Sequence, residues 1–236
     1  MVDPSHGAVT MNAASLLETL EGQTGEHPNA AIIVLHGLGA DGGDFVPVCE
    51  ELDLDAVGAV RFVFPHAPVR PVTINGGYRM RAWYDILGAD LQRREDEAGL
   101  RASQAAIAAL IERERERGIP AHRIVLAGFS QGCAMTLMTG LRYPERLAGL
   151  AGMSGYLPLA ATTAAERSDA NREVPVFLAH GTQDPVVAVE RGRASRDALG
   201  ALGQAVEWHE YPMEHAVCGE EIADLNRWLL HVLADG

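Results

Sequence analysis

Short apolar, β-branched runs alternate along this chain with longer stretches whose apolar positions recur at helical spacing. The first kind reads as buried strand and the second as amphipathic helix. Side chains alternate across a strand but return to one face of a helix about every 3.6 residues. The pattern predicts strands at 30–35, 60–64, 123–127, 147–153, 174–179 and 205–211, with 15–20 as an antiparallel edge strand. It predicts helices at 97–117, 132–141, 188–202 and 220–233. In the first of these Leu100, Ile107, Leu110 and Ile111 share a stripe with several alanines. Alternating βα units predict an α/β fold: a mostly parallel twisted sheet with helices on both faces, its active site at the strand C-termini. No repeat or low-complexity linker divides the sequence. A single domain over 1–236 is expected, with 1–14 as a poorly ordered N-terminal extension.

Composition narrows the chemistry. The formal net charge of −13 repels polyphosphate, so nucleic acid is not an expected partner. All 19 basic residues are arginine. Without lysine there is no Schiff base, no phosphate-loop lysine and no Ser–Lys dyad, which leaves histidine as the natural base for a nucleophile. The first basic residue is Arg61, so the positive start of a secretory signal is missing. The uncharged run 147–165 holds Pro158 and three glycines and reads as buried strand and loop, so no stable membrane insertion is expected. Cys49, Cys133 and Cys218 lie far apart and read as reduced thiols of a cytoplasmic protein. The E-R-E-R-E-R run at 112–117 reads as a solvated helix end.

The segment R-I-V-L-A-G-F-S-Q-G-C-A-M (123–135) carries the strongest signal. It is G-x-S-x-G between a predicted strand and a predicted helix, the setting of a nucleophile elbow. Ser130 must sit on a strained turn for its Oγ to clear the sheet edge. Gly128 and Gly132 remove side chains that would collide with the neighbouring strand and helix. The N–H of Gln131, at the helix N-terminus, then faces a developing oxyanion.

In this fold the acid precedes the histidine, and both follow the serine. His209 lies within a predicted strand, His231 near the end of the last helix, and His180 at a strand end too early to follow an acid. His215, in the loop after the last strand, is the expected base. Asp184, directly after strand 174–179, is the expected acid, with a helix N-cap as its plainer alternative.

Gly37-Leu38-Gly39-Ala40-Asp41-Gly42 also matches the dinucleotide fingerprint, with Asp53 or Asp55 as ribose acid, so a dinucleotide-binding oxidoreductase is the rival reading. His36 in front of it makes H-G-L-G, an esterase oxyanion loop whose Leu38 N–H would pair with that of Gln131. The Ser–Asp–His order favours the second reading. Nine histidines raise the question of metal, but no H-E-x-x-H or similar spacing occurs, so no metal site is expected.

On these segments the chain resembles the small carboxylesterase and acyl-protein thioesterase (phospholipase/carboxylesterase) family. The resemblance runs from about residue 16 to 233. It rests also on F-P-H-A-P (64–68), N-G-G-Y-R-M-R-A-W-Y-D (75–85), R-E-D-E-A-G-L (94–100), M-S-G-Y-L-P (153–158), H-G-T-Q-D-P-V-V (180–187) and Y-P-M-E-H (211–215). It implies an α/β-hydrolase fold without a large lid, no cofactor, the triad Ser130, Asp184 and His215, and oxyanion donors at Leu38 and Gln131. It also implies an acyl groove touching Trp83, Ile86, Leu87 and Val187, with core packing as the alternative for Trp83. The expected activity is hydrolysis of short- to medium-chain carboxylic esters. Acyl-protein thioesterase or lysophospholipase activity is the alternative, and a non-catalytic ligand-binding descendant a remote one. The expected substrate is a small ester or acyl-thioester, and a homodimer is allowed. Cys133 departs from the family, which usually has a second glycine there, and is expected to crowd or repack the turn.

Overall fold

The computed structural model describes residues 16–88 and 95–234. Among the described residues nine strands appear in chain order: β1 (Thr19–Gln23), β2 (Ala30–Leu35), β3 (Val60–Pro65), β4 (Val69–Val72), β5 (Tyr78–Arg81), β6 (Ile124–Phe129), β7 (Gly149–Met153), β8 (Val176–Gly181) and β9 (Val206–Tyr211). Six α-helices accompany them: α1 (Val46–Glu50), α2 (Glu97–Glu116), α3 (Gln131–Gly140), α4 (Ala160–Glu166), α5 (Val189–Ala201) and α6 (Gly219–Ala234). Seven strands form one sheet in the order β1-β3-β2-β6-β7-β8-β9. Only β1 runs antiparallel, against β3, so the fold is the expected mostly parallel α/β arrangement.

Strand periodicity explains the layering. Along β2, Ile33 and Leu35 face one core with α2, α3 and Leu199 of α5, while Ile32 and Val34 face a second with Phe45 and α6. Both faces are covered, so β2 is buried throughout and its sequence is apolar at every position.

Several expectations shift. The edge strand lies at 19–23 rather than 15–20, because its register pairs Thr19 with Pro65 and Gln23 with Arg61; the expected extension over 1–14, and Ser15, fall outside the described residues. The strand predicted at 123–127 begins at Ile124 and runs on to Phe129. Arg123 instead ends a 3-10 turn and donates to the carbonyls of Asn29 and Val57. The run 147–165 holds β7 as expected, but its last residues open α4. The hairpin β4–β5 has no counterpart in the sequence reading. Its strands have four residues each and half of those residues are exposed, so the alternation in Tyr78-Arg79-Met80-Arg81 is too short to mark a strand. Among the described residues, no helix is long and apolar enough to cross a membrane.

The E-R-E-R-E-R run is only partly solvated. Glu114 is 0% exposed and takes ion pairs from Arg61 (2.8 Å), Arg117 (2.9 Å) and Arg113 (3.1 Å). Helix-face arithmetic alone misses this, because Arg61 comes from β3.

A second buried carboxyl is treated differently. Glu221, in the first turn of α6, is 0% exposed and neither of its oxygens has a hydrogen-bond partner among the described residues. Burial pushes its carboxyl up to about 8. The folded state therefore keeps a proton that the unfolded chain releases near the ordinary value of 4.5. The associated stability is complete below that value and is lost as pH rises through about 8. Glu221→Gln should thus leave the melting temperature at pH 4 nearly unchanged. It should raise stability at pH 9 by a few kcal/mol (order of magnitude, about 1.4 per pH unit of separation). Thermal unfolding of both proteins across this range checks it.

Candidate active site

Ser130 is the one residue between the end of β6 and the start of α3, and its backbone is at φ 57, ψ −116. A side-chain-bearing residue pays about 1–3 kcal/mol for such a conformation, so the surroundings must enforce it. Two close approaches do so. A Cβ on Gly132 would overlap the Leu35 carbonyl at the end of β2, and one on Gly128 would overlap the Gly132 carbonyl. The Ser130 N–H donates to the Met153 carbonyl of β7 at 2.9 Å, and the Ser130 carbonyl accepts from Ala134 N at 3.2 Å. Helix, elbow and two strand ends are held together, with the serine on the outside of the bend.

His215 follows β9, as expected, and its Nδ1 lies 2.7 Å from Asp184 Oδ2. Asp184 leaves the end of β8, and its side chain is wholly buried. Its other oxygen, Oδ1, accepts from the backbone N–H of Val186 and of Val187, each at 2.8 Å. Asp184 is not the N-cap of α5, which is Ala188; one of its oxygens builds the turn ahead of that helix and the other meets His215. His180, set aside in the sequence reading, lies behind this pair. Its Nε2 is 2.7 Å from the Val187 carbonyl and 3.4 Å from Asp184 Oδ2. A carbonyl can only accept, so Nε2 carries a proton. Burial lowers the His180 pKa and keeps the ring neutral. No sequence pattern marks His180 as support for the acid. His209 sits on β9 against Glu207 (2.8 Å) and Asp224 (3.3 Å), and His231 is exposed on α6.

The glycine loop after β2 turns back at Gly39, φ 79, whose N–H donates to the Arg81 carbonyl of the hairpin at 2.9 Å. His36, 1% exposed, anchors its start: Nδ1 donates to the Gly37 carbonyl at 2.7 Å and Nε2 accepts from Ala67 N at 3.0 Å. Burial lowers the His36 pKa, so it is neutral too. The N–H groups of Leu38 and Gln131 have no acceptor among the described residues. The helix that follows the loop, α1, has five residues, which removes the long βαβ helix that a dinucleotide site needs.

A cleft of about 500 Å³ joins these parts. Ser130, Leu38 and His215 line it, with Phe45, Val48 and Val217 as apolar wall. The Ser130 hydroxyl makes no hydrogen bond among the described residues; serine–base contacts commonly tighten only when substrate is bound. The ring of Phe129 packs 4.7 Å from that of His215. None of the four expected groove residues lines this cleft. Trp83 (0% exposed) and Val187 (7%) are buried in the core, while Ile86 and Leu87 are half-buried. Trp83 is held inside because its indole N–H donates to the His36 carbonyl at 2.9 Å, a contact with no signature in the sequence. Cys133 is buried on α3. Its side chain fills space left by Gly152 and Gly155, and burial pushes its thiol up to about 12, so it is an inert packing group.

A parallel sheet, a strand–serine–helix elbow and a histidine–aspartate pair on later loops define an α/β-hydrolase. Residues 21–233 match the family described as phospholipase/carboxylesterase. The acyl-protein thioesterase 1 of Mycosarcoma maydis is 42% identical over 236 residues, covering 93% of this chain and 98% of its own. That of Yarrowia lipolytica is 40% identical over 205 residues, 85% of this chain and 90% of its own. The crystal structure of Zea mays acyl-protein thioesterase 2 superposes with a TM-score of 0.79 at 32% identity, covering 92% of this chain and 99% of that one. Arabidopsis thaliana SOBER1 gives 0.82 at 29%, over 86% and 99%. The chain belongs to the phospholipase/carboxylesterase family of α/β-hydrolases, and it is a hydrolase.

The elbow makes its own prediction. Gly132→Ala should cost about 1–3 kcal/mol, the usual range for overpacking, since the Leu35 carbonyl belongs to a central strand and cannot retreat. Urea denaturation measures it. Gly219→Ala, where an added Cβ meets nothing, is the control.

Proposed function

We propose that this protein is a serine hydrolase of the acyl-protein thioesterase kind, with Ser130, Asp184 and His215 as its catalytic triad. The observation that carries the reading is the 2.7 Å contact of His215 Nδ1 with buried Asp184, beside the cleft that Ser130 also lines. With its Nδ1 proton held by the carboxylate, the imidazole keeps its Nε2 lone pair for the Ser130 proton. Ser130 Oγ then attacks the acyl carbonyl carbon, and the carbonyl oxygen becomes an oxyanion that the N–H groups of Leu38 and Gln131 receive. Collapse expels the thiolate, which takes the proton from His215. Water, deprotonated by the same nitrogen, releases the carboxylic acid and regenerates Ser130. The Asp184 carboxylate stabilises the imidazolium that forms.

The finer assignment draws on the relatives, whose names are acyl-protein thioesterases. They favour a thioester over the short- to medium-chain carboxylic ester that the sequence suggested first. Lysophospholipid cleavage would use the same machinery. The free thiols of Cys49, Cys133 and Cys218 support a reducing compartment, and we assign the protein to the cytoplasm.

Two sets of measurements test this. Ser130→Ala should fold normally and lose roughly 10⁴-fold in kcat. Asp184→Asn keeps an oxygen for the Val186 and Val187 amides but offers an NH₂ to His215, selecting the wrong tautomer. It should cost about 10⁴-fold at neutral pH. Activity should fall on acidification, because only neutral imidazole accepts the serine proton. The second measurement compares a palmitoyl-cysteine peptide with a chain-length series of p-nitrophenyl esters. Efficient cleavage of the peptide is expected. Rapid turnover of short esters with the peptide untouched would return the protein to the simple carboxylesterase reading.

A further inference from the structure

We infer that Trp83 and the side chain of Gln131 form a brace that sets the distance between the two oxyanion donors, and that both are positioning residues for the hydrolysis. The inference rests on the assignment of Leu38 and Gln131 as those donors. The donors come from separate elements, the loop after β2 and the first residue of α3. The β2–β6 pairing ends at Leu35 opposite Gly128, so sheet register does not reach either of them. What spans the gap is the peptide at residues 83 and 84. The Trp83 indole N–H donates to the His36 carbonyl at 2.9 Å, two residues before Leu38. The Trp83 backbone N–H donates to Gln131 Oε1 at 3.0 Å, and Gln131 Nε2 donates to the Tyr84 carbonyl at 3.0 Å. Ser103 Oγ donates to the Trp83 carbonyl, which ties the bridge to α2.

Each polar group of Trp83 is thus engaged, and its neighbours in the chain of bonds are buried: His36 1%, Gln131 3% and Ser103 3% exposed. Packing alone would not need this. A large apolar side chain at 83 and a leucine or methionine at 131 would fill the same volume. The directed bonds fix where α3 begins relative to the glycine loop. An oxyanion hole works only when both donors lie about 2.7–3.1 Å from one oxygen. A shift of a few tenths of an ångström in their spacing therefore weakens binding of the transition state and leaves that of the substrate almost unchanged.

The test uses Trp83→Phe, which removes the indole N–H, Gln131→Met, which keeps the volume and removes both amide bonds, and the double variant. Each single change should lower kcat on a p-nitrophenyl ester about 10- to 100-fold with KM within about twofold. Affinity for a tetrahedral boronic acid should fall in the same ratio as kcat. The double variant should be little worse than the poorer single, since either break releases the same spacing. Independently of activity, ¹⁵N–¹H spectra in a Ser130→Ala background should show the Leu38 amide moving in Gln131→Met and the Gln131 amide moving in Trp83→Phe. Stationary amides, retained kcat, a rise in KM alone, or losses that multiply would each overturn the brace. Wild-type rates in Ser130→Ala would overturn the triad instead, and the spectra would still decide the brace.

Discussion

The site depends on one close approach: the first turn of α3 lies so near the ends of β2 and β6 that two backbone positions cannot carry a Cβ. With Gly132 against the Leu35 carbonyl and Gly128 against Gly132, the chain between them has no relaxed path, and Ser130 takes up the positive φ. The cost of that conformation is met by the packing of α3, which is buried along its whole length. The same contact brings the N-terminus of α3, with its free N–H groups, beside the glycine loop that follows β2. A hydroxyl on a bend, a helix N-terminus and a second N–H are therefore consequences of one steric arrangement.

Around this rigid centre, buried acids are handled in three ways. Asp184 shares its oxygens between two backbone amides and a histidine, so its charge is compensated and its orientation is fixed at the same time. Glu114 is neutralised by three arginines gathered from a strand and a helix. Glu221 has no such partners and answers burial by holding its proton. Removing one partner from a buried ion pair is generally far more damaging than replacing the whole pair by apolar groups. That cost attaches to Asp184 and Glu114, whose partners are the groups just named, and not to Glu221, which has no buried partner to lose. The all-arginine composition suits the second device, since a planar guanidinium serves several acceptors at once.

The sequence by itself determined the α/β class, the order of the main strands and helices, and the place of Ser130 at a strand–helix junction. Each follows from local pattern: period two or continuous apolar runs for buried strands, a 3.6-residue stripe for α2, and glycines spaced two residues either side of a serine. Chain order together with placement on loops after predicted strands singled out Asp184 and His215, and the structure brings them within 2.7 Å. Tertiary structure decided everything that joins residues distant in the chain. It paired β1 in a register set by β3, raised the hairpin β4–β5 whose four-residue strands are too short to show a pattern, and buried Glu114 through an arginine from β3. It also withdrew Trp83 from the cleft by bonding it to His36 and Gln131, and set His180 behind Asp184. These are contacts between elements, and their energies depend on distances of a few tenths of an ångström. Local periodicity has no means of encoding them.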